Sequence, residues 1–167
     1  MGIVLNVERE FLAAEGYFDL GLPGEALAIL QNMPAQARGD LRIRSLLVCI
    51  QVSTQDWAGA AETACNLVHD QPEEAQHWIH LAYAIRRRDS VSEAEKILLR
   101  AVRVHPQEWC IRYNLACYAA VQGRKDEAAM LFEEAVALEP SCEIMALDDP
   151  DLIILRSHFK MRNTRFL

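Results

Sequence analysis

The sequence predicts an all-α protein, an α-solenoid of about four helical hairpins followed by a C-terminal capping helix. Three observations favour this fold. Apolar residues follow the spacing of amphipathic helices along most of the chain. Alanines, apolar residues four positions after them, and prolines each recur at an interval of 34 residues, which is typical of helical repeat arrays. The recurring residues are Ala26, Ala60, Ala94 and Ala128, then Leu30, Ala64, Leu98 and Phe132, and finally Pro72, Pro106 and Pro140.

Eight helices are expected before Pro140, and turn or cap residues mark several of their ends. Pro23 stands near the first turn of the second helix, after Gly21, and Met33-Pro34 ends that helix early. Serine and aspartate favour helix N-termini, because their side chains accept hydrogen bonds from unpaired backbone N–H groups. The candidate caps are Asp40, Ser90 and Ser92, and the helices are expected at about 6–20, 23–33, 40–53, 56–70, 74–88, 90–104, 108–121 and 124–138.

The hairpin at residues 109–140 shows the pattern most clearly. Gly123 supplies the left-handed conformation that a helix end often needs. Asp126 and Glu127 then place negative charge in the first turn of the next helix, where it interacts favourably with the helix dipole. Pro140 ends that helix.

Small residues are expected where the two helices of each hairpin cross, because a larger side chain would push the helix axes apart. Leu98 and Phe132 should fill the gap to the next repeat, each contributing roughly 1.5–3 kcal/mol when fully buried. One hairpin cannot bury both of its faces, so stacked neighbours must supply the remaining stability. The crossing pairs are Ala14 with Ala26, Val48 with Ala60, Ala82 with Ala94, and Ala116 with Ala128.

The repeat resembles the tetratricopeptide repeat, whose pattern is W-x2-L-G-x2-Y, then A-x3-F, then P over 34 residues. Alanine replaces the usual glycine, and only Trp78 keeps the tryptophan. The resemblance covers about residues 6–140 and implies one right-handed solenoid over residues 1–140, with repeats at about 7–40, 41–74, 75–108 and 109–140. The matching residues are Trp78, Leu81, Ala82, Ile85, Ala94, Leu98 and Pro106 in the third unit, and Arg112, Leu115, Ala116, Ala119, Ala128, Phe132 and Pro140 in the fourth.

Residues 141–167 depart from the repeat and are expected to form a capping helix and a basic tail. Asp149 before Pro150 is typical of a cap followed by proline at the first helical position. The run LDDPDLIILR is similar to the closing segment of bacterial-type tetratricopeptide arrays, which end in a DPDLxxLR-like element. The helix would cover the open end of the solenoid with the apolar residues Leu152, Ile153 and Leu155, and would continue to Phe159.

The tail from Leu152 onward contains basic residues and no acidic residue, whereas the whole chain carries a formal net charge of −7. One interpretation is that the tail docks on the chain's own acidic body. The other is that it forms a surface for self-association or for a partner. The basic residues are Arg156, Lys160, Arg162 and Arg165.

Composition excludes several classes of function. A hydrophobic fraction of 51% and a charged fraction of 25% are ordinary for a globular protein, and the acidic balance argues against a nucleic-acid surface. The N-terminus lacks the basic start and apolar run of a signal peptide. Asn6 stands where a myristoylation motif needs Ser or Thr, and no stretch approaches a membrane span. A cytoplasmic location is therefore expected.

The sequence offers no catalytic constellation, and we expect neither an enzyme nor a cofactor. The glycines form no phosphate-binding loop, and the five cysteines include no CxxC pair, which favours reduced thiols. His77 and His80 form an HxxH pair on a helix, but a metal site would need further ligands, of which Cys110 is the candidate. Arg86, Arg87 and Arg88 suit a helix C-terminus.

The tetratricopeptide resemblance implies that the first helix of each repeat lines a concave groove for a partner. The basic clamp with which some family members hold a terminal carboxylate is absent. The mixed lining instead suits an extended or helical segment with hydrophobic anchors, unless the chain's own terminal helix fills part of the groove. The candidate partner-binding residues are Phe11, Glu15, Phe18, Arg42, Cys49, Val52, Ile79, Tyr83, Arg86, Tyr113 and Cys117, with Glu8, Ser45, Gln76, Cys110 and Ala120 beside them.

Four functional hypotheses follow. The leading one is a non-catalytic protein–protein interaction module that binds a partner segment in the groove. The second is a dedicated cytosolic chaperone for a secreted or assembly protein, as in type III secretion. The third, of another class, is a metal-binding or enzymatic protein that uses His77, His80 and Cys110. The fourth is an assembly protein whose terminal repeats stack between copies.

Overall fold

The computed structural model describes residues 2–156, with side chains from residue 6 onward, and over that range the chain is helical without a β-strand. The chain divides into two compact units, Met1–Arg88 and Asp89–Leu167. The helices are α1 (Gly2–Asp19), α2 (Pro23–Asn32), α3 (Leu41–Ser53), α4 (Trp57–Asp70), α5 (Ala75–Arg88), α6 (Val91–Val104), α7 (Trp109–Val121), α8 (Lys125–Leu138) and α9 (Cys142–Asp148), with short 3₁₀ helices at Ala37–Gly39 and Pro150–Leu155.

The all-α prediction is confirmed, and α1 to α8 correspond to the eight expected helices. The largest difference is at the beginning of α1, which starts at Gly2 rather than near residue 6, because no residue between them breaks a helix. The 3₁₀ turn Ala37–Gly39 lies in the longer loop that follows Pro34. In the described residues, no helix is both long and apolar enough to span a bilayer.

The turns between helices repeat at the same interval as the alanines. Gly21, Gln55 and Gly123 all have positive φ angles, of 75°, 61° and 77°. At each turn this residue donates its N–H to the carbonyl three residues back, as Gly123 does to Ala120 at 2.9 Å. Left-handed backbone favours glycine, so the predicted role of Gly123 is confirmed, whereas Gln55 adopts the same conformation with a side chain.

The predicted caps are confirmed at two positions and wrong at the third. The Asp40 carboxylate accepts a hydrogen bond from the Arg42 N–H at 2.9 Å, and the Ser90 hydroxyl accepts one from the Glu93 N–H at 3.2 Å. Ser92 lies inside α6, because Ser90 already caps that helix.

The eight residues expected at helix crossings are completely buried. Within the first unit α1 packs on α2 and α3 packs on α4, and within the second unit α7 packs extensively on α8. Leu98 and Phe132 are also fully buried, as expected for residues that fill the gap between repeats. The eight are Ala14, Ala26, Val48, Ala60, Ala82, Ala94, Ala116 and Ala128, each with 0% exposure.

The segment after Pro140 differs from the expected capping helix. It begins with the short helix α9, and Pro150–Leu155 then forms a 3₁₀ helix that packs on α7 and α8. Three residues per turn place positions i and i+3 on one face, so Leu152 and Leu155 are both fully buried while Ile153 is 54% exposed. The predicted cap is confirmed, since the Asp149 carboxylate accepts a hydrogen bond from the Asp151 N–H at 2.9 Å.

The basic tail lies mostly outside the described residues. This applies to the continuation of the capping helix to Phe159 and to Lys160, Arg162 and Arg165. Arg156 is described and is exposed.

Candidate partner-binding groove

The first unit contains a groove of about 1150 Å³ along the face formed by α1, α3 and the beginning of α5. Small-molecule pockets commonly measure about 300–1000 Å³, so the groove has room for a peptide segment. Its lining combines apolar and charged side chains. The lining residues are Glu8, Phe11, Leu12, Glu15, Gly39, Asp40, Leu41, Arg42, Ser45, Leu46, Cys49, Gln71, Glu74, Gln76, His77 and His80.

The groove brings together four of the predicted partner-binding residues, Phe11, Glu15, Arg42 and Cys49. They come from α1 and α3, the first helices of the first two repeats. Phe11 is only 6% exposed and belongs to the core under the groove. Cys49 is partly buried, and burial raises the pKa of its thiol, so it lines the groove as a neutral side chain.

Arg42 is held in place by three partners of the same unit. Its guanidinium donates to both Glu8 carboxylate oxygens, at 3.2 and 3.0 Å, and lies 3.6 Å from the Asp40 carboxylate. Its central carbon also lies 5.0 Å from the centre of the Phe11 ring. The hydrogen bond from Arg42 holds the pKa of Glu8 below its usual range. The positive charge of Arg42 is thus matched before any ligand arrives.

At the other side of the groove, α5 contributes two imidazoles. His77 is buried, with Nε2 at 3.3 Å from Gln71 Oε1, and His80 Nε2 lies 2.9 Å from the Gln76 amide nitrogen. Burial is the main reason why the pKa of each histidine lies below its usual value. Both rings are therefore neutral near pH 7.

These histidines do not gather a metal site within the first unit. In the described part of that unit no His, Cys, Asp or Glu completes a group of three ligand atoms with them. Cys110, the third ligand considered from the sequence, is on α7, where burial raises the pKa of its thiol to about 11. A thiol must lose its proton to bind a metal, so the environment of Cys110 is unfavourable for that role.

Five other predicted residues of the first unit do not line this groove. Phe18 and Val52 pack against buried clusters of the first unit, and Ile79 and Arg86 are partly buried on α5. Tyr83 packs edge-on against Trp57, with 6.0 Å between ring centres. The Arg87 guanidinium lies 5.2 Å from the centre of the Tyr83 ring.

The predicted residues of the second unit, Tyr113 and Cys117, are covered. Tyr113 is 7% exposed and Cys117 is 3% exposed. The Tyr113 hydroxyl donates to the Asp149 carboxylate at 2.8 Å, and the Cys117 thiol lies 3.5 Å from the same oxygen. Burial and this hydrogen bond raise the pKa of Tyr113. The alternative that the chain's own terminal segment occupies this helix face thus describes α7.

Cys117, Asp149 and Asp151 form a group of potential ligand atoms, all within 4.8 Å of one another. The structure explains the group without a metal. Asp149 accepts hydrogen bonds from Tyr113, from Cys117 and from the Asp151 backbone, and these bonds fix the terminal 3₁₀ helix to α7.

Several lining residues were not selected from the sequence. Leu12 and Leu46 neighbour the predicted positions by one residue, so the helical spacing alone could have found them. Gln71 and Glu74 lie in the loop before α5, where helical periodicity gives no information. His77 and His80 were considered only as metal ligands, although their place on a first helix indicates a groove position.

Comparisons with known proteins agree with the repeat. A family model described as Tetratricopeptide repeat matches residues 46–108 and 86–143, which together cover more than half of the chain. No curated protein sequence matches it.

Several solved structures share the fold at low sequence identity. They include TTC0263, a thermophilic TPR protein from Thermus thermophilus, with 19% identity and a TM-score of 0.68 over 80% of this chain and 75% of that chain. A MamA structure from Desulfovibrio magneticus RS-1 has 16% identity and a TM-score of 0.72, covering 81% and 76%. A MamA structure designated MSR-1 has 18% identity and a TM-score of 0.65, covering 96% of each chain.

The match of the family model, the 34-residue interval and the helical hairpins with small buried crossing residues lead to one conclusion. The chain belongs to the tetratricopeptide repeat family.

Proposed function

We propose that the protein is a non-catalytic interaction module that binds a segment of a partner protein in the groove of the first unit. The observation that carries this proposal is the groove itself, about 1150 Å³ with Phe11, Leu12, Leu46 and Cys49 among charged neighbours. An apolar floor with a polar rim is the usual anatomy of a protein interface. The covered face of α7 directs the proposal to the first unit.

Leu12 offers a direct test, because it is 58% exposed and lines the groove. Replacing Leu12 by alanine should reduce the capture of a partner from lysate of the source cells. The lost apolar contact corresponds to about a fivefold rise in the dissociation constant. The measurement is quantitative capture on immobilised protein, followed by titration of the purified partner.

Leu20 provides the matched control, since it is 76% exposed and lies outside the groove. Leu20→Ala should leave partner capture unchanged, and neither substitution should lower the melting temperature much. Ser45→Trp, which fills the groove from α3, should weaken the same partner. Equal capture by Leu12→Ala, Ser45→Trp and Leu20→Ala would show that the partner binds elsewhere.

The identity of the captured protein separates two forms of the proposal. A general scaffold should retain partners that are stable by themselves. A dedicated chaperone should co-purify with one client that aggregates or is degraded when the groove is blocked by Ser45→Trp.

A further inference from the structure

The groove of the first unit has an uneven balance of charge. Four carboxylates line it, from Glu8, Glu15, Asp40 and Glu74, against the single guanidinium of Arg42. Arg42 is already paired with Glu8 and lies near Asp40. Within the described residues, the carboxylates of Glu15 and Glu74 have neither a hydrogen bond nor an ion pair. Two negative charges therefore remain unmatched at the groove.

The imidazoles at the same groove add an unsatisfied acceptor. His77 is 5% exposed, and its Nδ1 has no hydrogen-bond partner among the described residues. Gln71 Oε1 lies 3.3 Å from His77 Nε2 and accepts its proton, which leaves Nδ1 as the accepting nitrogen of a neutral ring. Buried polar atoms are seldom left unpaired, so this nitrogen is a second, independent sign of a ligand that donates hydrogen bonds.

The apolar floor lies between these polar groups. Leu12 is exposed at the groove although its side chain is apolar, while Phe11 and Leu46 lie beside it. A ligand that matches the whole lining therefore needs an apolar side chain as well as hydrogen-bond donors and positive charge.

We propose that the groove binds a cationic segment of a partner protein, in which lysine or arginine side chains pair with Glu15 and Glu74 and an apolar side chain packs on Leu12. The inference rests on the proposed function and specifies the chemistry of the partner. Complementary charge contributes mainly to specificity and to the rate of association. Acidic segments are disfavoured because they would face two unpaired carboxylates.

Two labelled peptides test the proposal on the full chain by fluorescence anisotropy. One peptide has arginines flanking two leucines, and in the other glutamate replaces every arginine. The arginine peptide should bind, more weakly as salt increases, and the glutamate peptide should not. Glu15→Gln with Glu74→Gln should raise the dissociation constant of the arginine peptide by about fivefold, as expected for the loss of two exposed ion pairs.

The matched control is Glu25→Gln with Glu62→Gln, which removes the same charge from exposed residues on α2 and α4 outside the groove. This variant should bind the arginine peptide as the parent does. Equal weakening by both double variants would show a general charge effect and would overturn the proposal.

The remaining outcomes separate this inference from the function on which it rests. Binding of the glutamate peptide in a manner that depends on Leu12 would preserve groove binding and overturn the cationic partner. Failure of both peptides to bind would contradict both proposals. The chain's own tail is the other possible source of a cationic segment. If Lys160→Gln, Arg162→Gln and Arg165→Gln together tighten peptide binding several-fold, that tail rather than a partner protein is the occupant.

Discussion

Small side chains at equivalent positions of successive repeats allow the helices of each hairpin to approach closely. Ala116 and Ala128 lie on the packed pair α7 and α8, and both are completely buried. Protein interiors are packed nearly as densely as organic crystals, so an added side chain at such a position must displace its neighbours. The 34-residue interval of alanines therefore records a steric requirement.

Replacing Ala128 by leucine should destabilise the protein by about 1–3 kcal/mol, the usual cost of overpacking a core. Ala137 lies on the same helix and is exposed, so Ala137→Leu should change the free energy of unfolding by much less. Urea denaturation followed by circular dichroism measures both. Equal stability of the two variants would mean that Ala128 does not set the helix spacing.

At the scale of elements, the terminal 3₁₀ helix closes the second unit. Leu152 and Leu155 supply its apolar contact, and Asp149 supplies its polar contact to Tyr113 and Cys117. The face of α7 that the family resemblance assigns to a groove is therefore part of a core. Removing this cover should expose Cys117.

Leu155→Ala should lower the stability by about 2–5 kcal/mol, the range for leucine truncation in a core, and should accelerate the alkylation of Cys117. Ile153 belongs to the same 3₁₀ helix but is 54% exposed, so Ile153→Ala is the matched control. Alkylation followed by mass spectrometry reports each cysteine separately, and the exposed Cys65 serves as the internal reference. An unchanged rate at Cys117 would show that the 3₁₀ helix does not protect it.

At the scale of the whole molecule, net charge limits the classes of partner. The chain carries a formal charge of −7, and the groove of the first unit has more carboxylates than cations. Nucleic-acid binding depends on cations that displace counterions from phosphates. The charge of the molecule and the charge of the groove thus both favour a cationic protein segment over nucleic acid.

The full chain should therefore not shift duplex DNA or RNA in an electrophoretic assay, even at low salt, where electrostatic attraction is strongest. The arginine peptide should bind under the same conditions, which controls for active protein. Salt-dependent binding of a duplex at micromolar protein would contradict the expectation, and would indicate that the basic tail outweighs the acidic body.

Much of the fold could be predicted because its signals are local or periodic. The 34-residue interval, the buried alanines, the Asp40 and Ser90 caps and the turn at Gly123 all depend on nearby residues or on repetition. The candidate site was less predictable. Tyr83 packs on Trp57, which is 26 residues away, and helical spacing contains no information about such a contact.

The sequence by itself determined the family, the helical hairpins and the small residues at their crossings, because steric limits and helix periodicity act through residue type and spacing. The tertiary structure alone decided which first-helix faces stay open. Asp149 lies 36 residues after Tyr113, yet it covers that side chain, while Phe11, Arg42 and His77 meet around an open groove. Exposure depends on what packs against a side chain, and in this chain the covering residues lie far along the sequence.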